Sequence, residues 1–153
     1  MAEQSNRIIS VVVPTAGRGD YLIACLGSIQ AQTYSPLEII VIDNSLNQDF
    51  SLQIIRSYPQ IKLYPSPANL FYSASLNYGI ELSRGDFILC LNDDVILDKR
   101  FIEEALKGFS VSPTVGAVSG KILRSRGSTL DTTGLFLSIF RTAKERGYNR
   151  KDR

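Results

Sequence analysis

A chain of 153 residues, 44% hydrophobic and 21% charged, is long enough to close one hydrophobic core, and this composition fits an ordinary globular protein rather than a disordered or membrane-spanning one. The formal net charge of +2 gives no reason to expect nucleic acid as a partner, and the absence of histidine excludes a Ser-His-Asp triad and imidazole ligands for zinc. No run reaches the ~18 consecutive apolar residues of a membrane span, and MAEQSNR lacks the charged start and apolar centre of a secretion signal. Cys25 and Cys90 lie in apolar surroundings without metal or redox spacing, as expected of buried, reduced thiols in a cytoplasmic protein.

From the N-terminus, Ile8 to Val13 is an apolar run broken only by Ser10 and stopped by Pro14, short enough for a strand buried on both faces. YLIACLGSIQAQ follows with Leu22, Cys25, Leu26 and Ile29 at helical spacing, so one face of this helix should lie on a sheet. LEIIVID reads as a second buried strand ending on Asp43, SLQIIRSY as a helix and IKLY as a short strand. FYSASLNYGIELSRG places Ala74, Tyr78 and Leu82 four apart, with Gly85 as its C-cap. DFILCL is the fourth buried strand, and Phe101, Ile102, Ala105, Leu106 and Phe109 mark a helix that Asp98 can N-cap. Beyond Val118 the pattern loosens, and SGKILRSRGSTLDTTGLFLSIF reads as one or two irregular strands.

Strands alternating with helices imply right-handed crossovers and a Rossmann-like, mostly parallel sheet flanked by helices, in one α/β domain spanning residues 1–153. Ligands of such sheets sit outside the carboxyl ends of the strands. The polar residues of this chain gather at those ends: Pro14-Thr15 after the first strand, Asp43-Asn44 after the second, Asn92-Asp93-Asp94 after the fourth.

Adjacent Asp93 and Asp94 repel each other, by on the order of 1 kcal/mol at about 4 Å even in water. A bound cation removes that cost, and hard oxygen ligands suit magnesium or manganese, with waters and substrate phosphates completing the shell. An Asn-Asp-Asp turn would use the same residues without any metal. Asp43 is either an ordinary polar strand end or an acceptor for a ribose hydroxyl or base N–H. TAGRGD can bring phosphate to a helix N-terminus or serve only as a turn, since it has neither P-loop nor GxGxxG spacing.

Taken in order, VVVPTAGRGDYLIACLGSIQAQTYSPLEIIVIDNS and NLFYSASLNYGIELSRGDFILCLNDDVILD resemble the amino-terminal half of family 2 glycosyltransferases, which have the A-type glycosyltransferase fold. VGAVSGKIL and LDTTG look like its rhamnosyltransferase-like branch. The resemblance implies that Pro14, Thr15, Arg18 and Asp43 hold the nucleotide, and that the segment from Asn69 to Asn77-Tyr78-Gly79 packs near base and diphosphate. It puts Asn92, Asp93 and Asp94 at the DXD-type position, Asp93 near the ribose and Asp94 on Mg2+ or Mn2+. The implied activity moves a sugar from a nucleotide-diphospho-sugar to a hydroxyl on a carbohydrate or lipid-linked acceptor, with inversion.

The family's catalytic base and acceptor-binding elements have no counterpart after Asp98. Glu103 and Glu104 fall on a helix face expected to be solvated, and Asp131, Glu145 and Asp152 lack the family context. The fold is therefore expected to be incomplete at its C-terminus, through truncation or natural loss, and the apolar surface so exposed would favour a homo-oligomer. A non-catalytic nucleotide-sugar-binding module is the alternative. A phosphoacceptor receiver domain fits less well, because it needs an acidic pair where Pro14-Thr15 stands. The basic stretch RTAKERGYNRKDR is read as a solvated tail, or as a contact with phosphate or a peripheral contact at the inner face of a membrane.

Overall fold

The computed structural model describes residues 7–124, 129–137 and 142–152. Two compact units divide the chain, residues 1–100 and 101–153. The first carries a parallel sheet of four strands: β1 (Ile9–Thr15), β2 (Leu37–Asp43), β3 (Lys62–Pro65) and β4 (Phe87–Cys90), in the order β3-β2-β1-β4. Its helices are α1 (Gly19–Gln30), α2 (Gln48–Ser57) and α3 (Phe71–Leu82).

Strand alternation sorts the core into two faces. Val12, Ile40 and Ile42 face one way, where Tyr64, Leu76 and Leu82 pack against them and α3 lies over the sheet. Val11, Val13 and Val41 point to the opposite face, which right-handed crossovers assign to α1 and α2. The predicted stripe of α1 is fully buried at Leu22, Cys25, Leu26 and Ile29. On the other side, Gly79 lets α3 come close: a Cβ there would fall 2.3 Å from Cγ1 of Val12.

Several expectations need correcting. Pro14 does not stop the first strand but sits inside β1, opposite Ile42. The Val12 carbonyl accepts from Leu91 on the β4 side, while the Thr15 carbonyl accepts from Asn44 on the β2 side. Pro14, two residues after Val12, therefore faces the β4 side, where pairing has ended at Val12 opposite Cys90. Its missing N–H costs nothing there. Nor is β4 buried on both faces: it is an edge strand, so Ile88 is 41% exposed and Cys90, expected to be buried, is exposed. Gly85 is not the C-cap of α3, a place that Ser83 takes. Gly85 instead touches β1, where a Cβ would meet the Ile8 carbonyl, the Ser10 nitrogen and Ser10 Oγ at 2.7 Å each.

At the amino end of the sheet, Glu38 accepts from Lys62 Nζ at 2.6 Å, from Ser10 Oγ at 2.5 Å and from the Arg84 amide at 2.8 Å. Burial pushes its carboxyl up, but these donors outweigh it and hold the group down at about 2. Glu38 thus stays ionised through the ordinary carboxylate range and joins β1, β2, β3 and the turn before β4.

In the second unit, α4 (Phe101–Phe109) buries Ile102 and Leu106. The region read as one or two strands forms two antiparallel pairs among the described residues: β5 (Ile122–Leu123) with β6 (Leu130–Thr132), and β7 (Leu135–Leu137) with β8 (Ala143–Glu145). Parts of that stretch, 125–128 and 138–141, lie outside the described residues. Asp98 accepts from the Arg100 amide at 2.9 Å, shaping the turn ahead of α4. Among the described residues no helix is long and apolar enough to cross a membrane.

Candidate functional site

The strand order reverses direction between β1 and β4: β2 and β3 lie on one side of β1, and β4 on the other. Loops leaving such a switch point diverge and open a crevice above the sheet. Here Thr15, ending β1, donates from Oγ1 to Oδ2 of Asp93 at 2.7 Å, across 78 positions of sequence. Thr15 also accepts from the Gly17 amide at 3.2 Å. Gly17 has φ +86°, and a Cβ there would lie 2.7 Å from Cβ of Ser45. Only glycine suits this turn, which presses the β1–α1 loop against the β2–α2 loop.

Asp43 ends β2 opposite Thr15 and is 2% exposed. Its Oδ1 accepts from the Ser45 amide at 2.8 Å and its Oδ2 from Ser51 Oγ at 2.5 Å, so the carboxylate ties the start of α2 to the sheet. Each carboxylate oxygen retains a further lone pair for a ligand donor. Beside it runs a groove of about 440 Å³ lined by Asp43, Leu46, Ser51, Leu52, Ile55 and Ser66. Ser66 Oγ is buried without a hydrogen-bond partner among the described residues.

Asn44 spans the crevice toward α3, donating from Nδ2 to Ser75 Oγ at 2.8 Å and accepting from the Leu70 amide at 3.2 Å. Asn69 accepts from the Phe71 amide at 2.9 Å. Between these two amides the chain turns so sharply that Phe71 adopts φ +56°, a conformation that bulky side chains avoid. Its ring is 78% exposed and gains little burial in return. Phe71→Gly is therefore expected to stabilise the chain by about 1 kcal/mol, the lower end of the left-handed penalty. A thermal melt checks this, and a lowered midpoint would contradict it.

The acid pair sits in a turn, with the Val95 amide donating to the Asn92 carbonyl at 3.4 Å. Asp94 is exposed and Asp93 half-buried. Burial first, and then the carboxylates of Asp93 and Asp94, push the Cys25 thiol up to about 12. Burial, Cys90 and Asp94 push the Tyr72 phenol up as well, which puts Tyr72, on the first turn of α3, near Asp94.

Neighbouring carboxylates with exposed oxygens suit a hard divalent cation such as magnesium or manganese. Among the described residues no group of three or more His, Cys, Asp or Glu side chains is placed to hold a metal ion by itself.

The fold thus brings Pro14, Thr15, Asp43, Asn69, Asn92, Asp93 and Asp94 to one edge of the sheet. Arg18, at the N-cap of α1, is exposed with its guanidinium 5.9 Å from the Tyr21 ring. Asn77 is exposed about 9 Å along α3 from its start. Neither is hydrogen-bonded to the other named residues among the bonds described. Sequence reading missed Ser51, Ser75 and Tyr72, whose roles depend on partners more than seven residues away.

Residues 10–152 match the family model described as Glycosyl transferase family 2. The chain is 29% identical over 102 residues to Glycosyltransferase GlyG of Streptococcus pneumoniae, covering 64% of this chain and 34% of that protein. It is 26% identical over 145 residues to the N-acetylglucosaminyl-diphospho-decaprenol L-rhamnosyltransferase of Mycobacterium tuberculosis, covering 88% of this chain and 47% of the relative. The chain therefore spans less than half the length of these relatives.

Two solved structures share the fold. One is S. aureus TarS 1-349 in complex with UDP-GlcNAc, with TM-score 0.60, 24% identity and coverage of 67% and 31% of the two chains. The other is the mannosyltransferase PcManGT from Pyrobaculum calidifontis in complex with GDP-Man and Mn2+, with TM-score 0.65, 23% identity and coverage of 77% and 36%.

Proposed function

Because the chain belongs to glycosyl transferase family 2, we propose that its first unit binds the nucleotide-diphospho-sugar donor of a glycosyl transfer. The observation that carries this reading is the Thr15 to Asp93 hydrogen bond, which joins the ends of β1 and β4 at the switch point with Asp94 exposed beside it. Structural neighbours described with UDP-GlcNAc and with GDP-Man and Mn2+ support it. Pro14, Thr15, Arg18, Asp43, Asn69 and Asn77 would receive the nucleotide, Asp93 the ribose, and Asp94 a magnesium or manganese ion that offsets charge on the leaving diphosphate. The acceptor is a hydroxyl of a carbohydrate or lipid-linked sugar, attacked with inversion.

Titration with UDP and with GDP, each with and without manganese, tests the reading. A ligand at a hundred times its Kd raises stability by about 2.7 kcal/mol. An unchanged melting midpoint under all four conditions would overturn it.

A second reading, a nucleotide-sugar-binding module without turnover, is favoured by the state of three acids of the second unit. Glu104 pairs with Lys107 at 2.8 Å, Asp131 with Arg124 at 3.6 Å and Asp152 with Lys121 at 2.5 Å. Donor hydrolysis or transfer by this chain, lost in Asp94→Ala, excludes that reading.

A further inference from the structure

The loop carrying the acid pair is held along its length by one side of α1. Cys25 Sγ donates to the Asn92 carbonyl at 3.6 Å. Ser28 Oγ accepts from the Leu97 amide at 3.0 Å, and Gln32 Nε2 donates to the Asp98 carbonyl at 2.7 Å. Like Gln32, Thr33 lies past the end of α1, and its amide donates to the Lys99 carbonyl at 2.8 Å. Contacts advance in the same order on both segments, so the loop from Asn92 to Lys99 lies along α1 like a rail. Cys25 and Ser28, three apart, share a face of α1, and Gln32 follows two residues past the helix end at Gln30.

Ser28 is central to this arrangement. It is 9% exposed and Leu97 is 8% exposed, so the Leu97 amide is cut off from water and needs a protein acceptor. Ser28 Oγ supplies it while donating its own proton to the Cys25 carbonyl at 2.7 Å. One hydroxyl therefore links the helix backbone to the loop five residues after the turn of Asn92. At its other end that turn is fixed by Thr15 on Asp93. The acid pair is held from a strand on one side and a helix on the other, and both mounts are regular structure.

We infer that Ser28, with Gln32 behind it, is a positioning residue for the Asp93-Asp94 pair, setting where the carboxylates meet the cation and diphosphate. This role rests on the donor-site reading above. Groups that orient metal ligands from behind typically change metal affinity about 10- to 100-fold when removed. They leave metal-free contacts with a nucleotide largely untouched.

The test measures UDP affinity with and without manganese in the full chain for wild type, Ser28→Ala, Ser28→Thr and Gln32→Ala. Hydrogen exchange at the Leu97 amide is followed in parallel. Ser28→Ala is expected to lose about tenfold in manganese-dependent affinity with metal-free affinity unchanged, and to exchange faster at Leu97. Ser28→Thr keeps the hydroxyl and restores both. Gln32→Ala, at a half-buried position that tolerates truncation, lowers manganese-dependent affinity in the same direction even if Ser28→Ala fails to fold.

Manganese-dependent affinity equal to wild type in Gln32→Ala, and in Ser28→Ala where it folds, overturns the positioning role. So does unchanged Leu97 exchange in a folded Ser28→Ala. A wild-type chain without manganese-dependent binding overturns the donor-site reading itself, a result the exchange data keep separate from the anchoring of the loop.

Discussion

Asp94→Ala is expected to remove the manganese-dependent part of nucleoside-diphosphate binding, a loss of about a hundredfold or roughly 2.7 kcal/mol. The size follows from taking away a carboxylate that would touch the cation directly, a larger change than removing a group behind it. Asp94 is exposed, and surface substitutions outside special features shift stability by about 0.5 kcal/mol or less. The melting midpoint without ligand should therefore hold while affinity collapses. Asp93→Ala gives a mixed result, because it also strips Thr15 of its acceptor at the junction of β1 and β4. Calorimetric titration of UDP at saturating manganese decides the matter: equal affinity in wild type and Asp94→Ala removes Asp94 from the metal site.

Gly79→Ala should cost a large amount of stability for a single added carbon. The new Cβ would fall 2.3 Å from Cγ1 of Val12 and 3.4 Å from Cγ1 of Ile42, both in the fully buried layer beneath α3. Val12 lies in a strand paired on both sides and cannot retreat, so α3 has to lift. Overpacking of this kind costs about 2 kcal/mol, equivalent to a fall in Tm of roughly 4–8 °C for a chain of this size. Gly27→Ala is the internal control, since a Cβ at Gly27 in α1 meets nothing within 4 Å. Replacing glycine there should raise the midpoint by relieving helix entropy. A midpoint for Gly79→Ala at or above wild type would show that α3 stands off the sheet. Function should suffer with stability, because α3 carries Tyr72 near Asp94 and Ser75 against Asn44.

Much of this architecture was legible in the residues alone. The apolar runs of β1 and β2 and the stripe Leu22, Cys25, Leu26 and Ile29 have periods that only one kind of element can bury. The polar residues after β1, β2 and β4 fall at one edge because all strands of a parallel sheet point the same way. Boundaries were less legible where a rule depends on neighbours. Pro14 reads as a strand breaker until β4 is seen to stop before reaching it. Cys90 reads as buried until β4 proves to be an edge strand.

Local chemistry by itself determined that two adjacent carboxylates would close a strand and that an acid would close another, since burial ends where charge begins. Only the tertiary structure decided what those acids do. It brought Thr15 to Asp93 across 78 positions, closed Asp43 onto Ser51 in the next helix, and laid a buried side of α1 along the acid loop. A serine at position 28 inside an apolar stripe signals that something polar lies opposite. Which amide it meets depends on crossovers that bring distant segments together, and pairings between distant segments leave no period in the chain to read.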